Sequence, residues 1–167
     1  CWAACAATRR EPTVRPDRTR SFIRGAAVSL AVLLLAAARL FTRQGFHGTS
    51  LDDIASSLGV TKPTLYYYID NKEQILFECV ERELAMFRNG LQALQAQGHS
   101  GRERLRLAMQ LYASVVTGDF GLCVSRVGED PLPEVRRHEL RNLKAQVDAD
   151  FRALIAQGMS EGWIMAG

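Results

Sequence analysis

Residues 49–70 read TSLDDIASSLGVTKPTLYYYID, and two short helical patterns meet there at a glycine. Leu51, Ile54, Ala55 and Leu58 fall on one helical face over about two turns, with the hydroxyls of Thr49 and Ser50 placed to cap them and Gly59 to end them. Thr61 is placed to cap a second short helix that carries Pro63 in its first turn, where a missing N–H costs nothing. Helix, short glycine-containing turn, helix is the pattern of a helix-turn-helix. Two such helices cross closely, so the contact position on the first must be small, and Ala55 is small. The turn needs a residue that tolerates positive φ, and Gly59 supplies it.

The second helix then divides by face. Leu65 and Ile69, four residues apart, face the shared core with Val60. Successive helical residues project about 100° apart, so Tyr66, Tyr67 and Tyr68 cannot all enter one core. Lys62, Thr64, Tyr66 and Tyr67 are left on the outer arc and the N-terminal end, with Tyr68 at the margin. A recognition helix reads bases with its N-terminal residues, so this polar set sits where DNA would lie.

On the N-terminal side, Leu30, Leu33, Leu34, Ala37, Leu40 and Phe41 follow a helical period up to the break at Gly45-Phe46-His47-Gly48. A rival reading competes for the same residues. Arg-rich residues 9–24, the uncharged GAAVSLAVLLLAAA of 25–38 and its closing alanines have the layout of a secretory signal. The helical period favours the helix, because it runs through the supposed cleavage site. A membrane span needs about 20 apolar residues, and Arg24 and Arg39 lie too close together for one. Residues 1–25, rich in Arg, Pro and Thr, read as a disordered arm.

On the C-terminal side the period is helical throughout. Leu76, Val80, Leu84, Phe87, Leu91 and Leu94 predict a long helix from Asn71 to Gly98. Leu105, Ala108, Leu111, Tyr112 and Val115 predict a second over Arg102 to Thr117. Leu140, Leu143, Val147, Phe151, Leu154 and Ile155 predict a third over Pro133 to Gly158. Between the last two, GDFGLCVSRVGEDPLP (118–133) reads as irregular, with a short buried turn around Phe120, Leu122 and Val124. No strand-like alternation appears, so the fold class is all-α.

The 167 residues are 47% hydrophobic, which allows a real core and excludes a disordered chain. The net charge of +3 is concentrated at the start: six arginines against two acids in residues 1–24 leave the rest at −1. Any nucleic-acid surface must therefore be local. Cys1, Cys5, Cys79 and Cys123 form no CxxC pair and read as reduced thiols, with Cys79 and Cys123 packed as small hydrophobes. His47, His99 and His138 have no catalytic partner at a motif spacing, and no phosphate loop or HExxH is present, so the expectation is no enzyme and no cofactor.

The stretch LLLAAARLFTRQGFHGTSLDDIASSLGVTKPTLYYYIDNKEQIL (33–76) resembles the N-terminal domain of TetR-type transcriptional regulators. It combines A-A-x-x-L-F-x-x-x-G-F with a helix-turn-helix ending in T-L-Y and N-K-E at fixed offsets. The resemblance implies a cytoplasmic, ligand-responsive repressor whose homodimer grips a palindromic double-stranded operator. By position, its base-reading and phosphate-gripping sites fall on Ser50, Thr61, Lys62, Pro63, Thr64, Tyr66, Tyr67, Tyr68 and Lys72. Each has a plainer alternative: Ser50 as a cap, Tyr66 as partial core, Lys72 as the partner of Asp70 in a surface ion pair.

The domain expectation is residues 26–86 for the DNA-binding head, with the helix-turn-helix at 50–69, and residues 87–167 for an incomplete helical ligand-binding and dimerisation domain. A small-molecule effector is implied as partner, with no membrane. Met86, Met109, Tyr112, Phe120 and Cys123 can line its pocket or fill a core. The pattern departs from the family at Leu30, where most members carry Arg or Lys. It departs again at IAQGMSEGWI (155–164), which resembles the turn before two further helices and implies a fragment.

Overall fold

The computed structural model describes residues 29–162, and every element among them is helical. They are α1 (Leu30–Gln44), α2 (Leu51–Ser57), α3 (Lys62–Leu65), α4 (Lys72–Ala96), α5 (Gly101–Val116), α6 (Asp119–Val127) and α7 (Glu134–Ser160). The arm expected over 1–25, Cys1 and Cys5 lie outside the described residues. The all-α class and the head-plus-helical-body architecture are as the sequence predicts.

Ser29 begins α1 by accepting the Val32 N–H on its hydroxyl, a cap that the apolar run had concealed. Leu33, Leu34, Ala37, Ala38 and Phe41 of α1 are buried in the main core, so the alanines of the supposed cleavage site are helix interior. Among the described residues no single helix is long and apolar enough to cross a membrane.

The core is continuous from the head into the body. One apolar cluster joins α1, α2 and α3 to the first turns of α4 and reaches Cys123, Leu132 and Leu140. A second, around Phe87, Leu91, Ala108, Val115 and Leu154, ties the far half of α4 to α5 and α7. Phe77 meets Arg136, Phe87 stacks on Phe151 at 5.2 Å, and Arg88 pairs with Asp150, so α4 and α7 ascend side by side in the same direction.

One prediction fails. Residues 118–133 are not irregular, because Asp119–Val127 forms α6. Its glycines misled the reading. Gly118 is its N-cap, Gly128 stops it at φ 70°, and Gly121 is buried where a side chain would meet the α5 backbone: a Cβ there would lie 2.4 Å from the Val115 carbonyl oxygen. Tertiary packing against α1 and α5 therefore makes this helix, overriding weak local propensity. Leu122, expected inside, is exposed, while Phe120 and Val124 pack on the core.

Candidate nucleic-acid interface

The head is built around a close crossing. Ile54 and Ala55 of α2, Leu65 of α3 and Ile69 beyond it are buried together, with Val60 packed against them. Gly59 takes φ 65°, and the Val60 N–H returns to the Ala55 carbonyl at 3.0 Å, which closes the turn. The helix α3 is one turn long, and its end is held by N–H bonds from Tyr68 and Ile69 to the Leu65 carbonyl. Ser50 starts α2 with a capping box. Its hydroxyl accepts the Asp53 N–H at 3.1 Å, while the Asp53 carboxylate accepts the Ser50 N–H at 2.8 Å. Bonds from the Ser50 hydroxyl and then its backbone N–H hold the Asp53 carboxyl below its usual range.

The tyrosine run splits as its geometry requires. Tyr67 is 72% exposed and Tyr66 51% exposed, whereas Tyr68 is half-buried against the core. Tyr66 therefore does not fill the head. Tyr67 and Tyr68 meet edge to face with centroids 5.1 Å apart, so the outward ring is braced by the inward one. Pro63 is exposed in the first turn of α3.

Two expectations about hydroxyl and cation partners are corrected. Thr61 occupies the N-cap position of α3 but makes no side-chain cap; its hydroxyl pairs with that of Thr64 at 3.0 Å. The ammonium of Lys72 is turned away from Asp70 and donates to the carbonyls of Phe46 at 2.7 Å and Thr49 at 3.0 Å. It thus fastens the α1–α2 turn, two of its three N–H groups being used there.

Lys62 donates to Asp52 at 2.9 Å across the helix-turn-helix, and this bond raises its pKa above the ordinary lysine value. Sequence reasoning missed Asp52, because ten positions separate the partners and only the folded turn brings them together.

A second contact region lies behind this face. Arg39 of α1 makes a paired bond to Asp119 of α6 at 3.1 and 3.0 Å, and Arg126 donates to the Thr42 carbonyl at 3.2 Å. Both cations sit on the seam between head and body. The residues singled out for a ligand pocket do not converge. Met86, Met109 and Tyr112 are exposed on the body, while Phe120 and Cys123 pack into the main core. A groove of about 510 Å³ lies between α4 and α7, lined by Phe77, Glu78, Glu81, Arg136, Glu139, Asn142 and Leu143. No group of three or more His, Cys, Asp or Glu among the described residues is placed to hold a metal ion.

A buried, glycine-turned pair of helices that presents outward tyrosines ahead of a larger helical body defines a class: all-helical proteins with an N-terminal helix-turn-helix, the motif that transcription regulators use on DNA. Residues 33–79 match the bacterial regulatory proteins of the tetR family. It is 29% identical over 87 residues to the HTH-type transcriptional activator FasR of Mycolicibacterium smegmatis, a match covering 52% of this chain and 40% of FasR. It is 50% identical over 42 residues to IcaR of Staphylococcus epidermidis, the negative transcriptional regulator of the biofilm operon icaADBC, covering 25% of this chain and 23% of IcaR. The chain thus matches less than half the length of either relative. Among solved structures it is similar to AibR in complex with isovaleryl coenzyme A and operator DNA, with TM-score 0.70 and 26% identity over 83% of this chain and 76% of that one.

Proposed function

We propose that this regulator is a ligand-responsive repressor that binds a palindromic operator as a homodimer in the cytoplasm. Residues 26–86 form its DNA-binding head and residues 87–167 belong to its regulatory body. The observation that carries the reading is the outward placement of Tyr67 and Tyr66 on a recognition element whose opposite face is fully buried. A hydroxyl-tipped ring held out from a rigid turn is suited to a phosphate or a base edge. Ser50, Thr61, Lys62, Pro63, Thr64 and Tyr68 complete that contact set, and Lys72 has one N–H left for a phosphate.

Dimerisation follows from the size of this surface. A four-residue recognition helix makes few base contacts, so two heads held about 34–36 Å apart on successive major grooves are needed for useful affinity. Repression is favoured over activation by the 50% identity to the negative regulator IcaR across the head, against 29% to the activator FasR over a longer stretch. The effector is an apolar or amphipathic small molecule, a reading supported by the AibR complex, which holds isovaleryl coenzyme A together with operator DNA.

Selection of bound duplexes from a random pool by the purified protein tests the whole reading. The expected result is enrichment of a two-fold symmetric site with half-sites one helical turn apart, released on adding a member of an acyl-coenzyme A panel. Enrichment of no sequence removes DNA recognition, and an asymmetric single half-site removes the dimer.

A further inference from the structure

Two carboxylates stand in the first turn of α2, and only one caps the helix. Asp53 is consumed by the capping box with Ser50. Asp52 makes no cap. Its Oδ2 accepts from the Lys62 ammonium at 2.9 Å, a bond that leaves the first helix of the motif and lands on the first residue of the second. The two side chains are 67% and 41% exposed, so an ion pair between them adds little stability. What the bond does supply is position. Lysine carries a long, flexible stem, and ordering it has an entropic cost at the moment of binding unless it is already ordered. Pro63, next in sequence, fixes the backbone behind it. With one N–H on Asp52, two remain to point at DNA.

We infer that Asp52 is a specificity-determining positioning residue, which holds the Lys62 ammonium at one place on the recognition surface so that it reads a single base edge instead of any nearby phosphate. This inference rests on the DNA-binding reading of the same face. The pair persists in the complex, and a guanine edge, with two adjacent acceptors, is the base that suits a fixed ammonium. Without Asp52 the cation is free to reach phosphates in every sequence. The free lysine then adds about one counterion to those released on non-specific binding.

The test uses Asp52→Asn, Lys62→Ala and the double variant in the full chain. Each is titrated against the selected operator, its single-base variants and a random duplex over a range of salt. Asp52→Asn should weaken operator binding by a few fold and tighten random-duplex binding by about 3- to 10-fold, with a salt slope steeper by about one. The operator position at which base preference is lost should be the same as in Lys62→Ala, and the double variant should be no worse than Lys62→Ala there. Asp52→Glu, which keeps an acceptor within reach, should restore the preference. The inference is overturned if Asp52→Asn keeps the wild-type preference at that position, or tightens operator and random duplex by one common factor. The latter is the mark of a deleted charge alone. A wild-type chain with no sequence preference at all instead overturns the DNA-binding reading, and this inference with it.

Discussion

The ammonium of Lys72 lies 4.3 Å above the ring of Phe46 and donates to the carbonyl of that same residue at 2.7 Å. One side chain from the start of α4 thereby fixes both the backbone and the ring of the turn that joins α1 to α2. Truncation to alanine strands the Phe46 and Thr49 carbonyls and removes the cation from the ring. Lys72→Ala should therefore lower unfolding stability by about 1–3 kcal/mol, measured by urea denaturation. An unchanged midpoint would mean that water replaces the ammonium at no cost.

Tyr67 behaves in the opposite way. Its ring is exposed and meets that of Tyr68 edge to face. Tyr67→Ala should leave stability within about 1 kcal/mol of wild type while weakening binding to operator and random duplex by a similar factor. Titration at one fixed salt concentration checks this. A loss confined to the operator would make Tyr67 a base reader.

Two glycines of the body make a paired prediction. A Cβ on Gly121 would stand 2.4 Å from the Val115 carbonyl oxygen and 2.5 Å from the Val116 Cα, both backbone atoms. On Gly90 it would meet the Leu111 Cδ2 at 2.4 Å, a side-chain end that can turn aside. Gly121→Ala should cost about 3 kcal/mol, and Gly90→Ala less than half as much. Equal midpoints in the two variants would contradict the close approach of α5 and α6.

Glu83 supplies a pH dependence. Burial pushes its carboxyl above the usual range, opposed in part by the charge of Lys144. A raised folded-state pKa means that the folded chain binds the proton more tightly than the unfolded chain does. The stabilisation from this site is thus present below the unfolded value of about 4.3 and is lost as pH rises through the folded one. Glu83→Gln should be more stable than wild type at neutral pH, with the advantage vanishing under acid. Unfolding midpoints taken at both pH values decide it; a constant offset removes Glu83 as the cause.

The head was legible because each of its requirements is a residue type at a fixed offset: Ala55 at the crossing, Gly59 at the turn, Leu65 and Ile69 inward, Tyr67 outward. The long helices were legible from their apolar period. What escaped was set by contacts between distant segments. The helix α6 carries glycines that weaken it locally, and only its seat on α1 and α5 makes it helical. The partners of Lys62 and Lys72 lie 10 and 26 positions away, beyond any periodicity, so their ion-pair and carbonyl contacts could not be read from neighbours. Met109 and Tyr112 lie on the helix predicted for them, yet the period of one helix does not say whether its apolar face meets a partner.

The helix α4 runs unbroken for 25 residues from the head's core to the second cluster of the body, and the main cluster itself extends as far as Leu140. Among the described residues, the head and the body behind it are thus joined through one continuous helix with no break. Denaturant should therefore melt both in one transition, and a protease should find no exposed strap at which to release a working head. Separated from α6 and the start of α7, the head would expose the apolar faces of α1 and α4 that they now cover. Head and body are coupled at the level of folding itself.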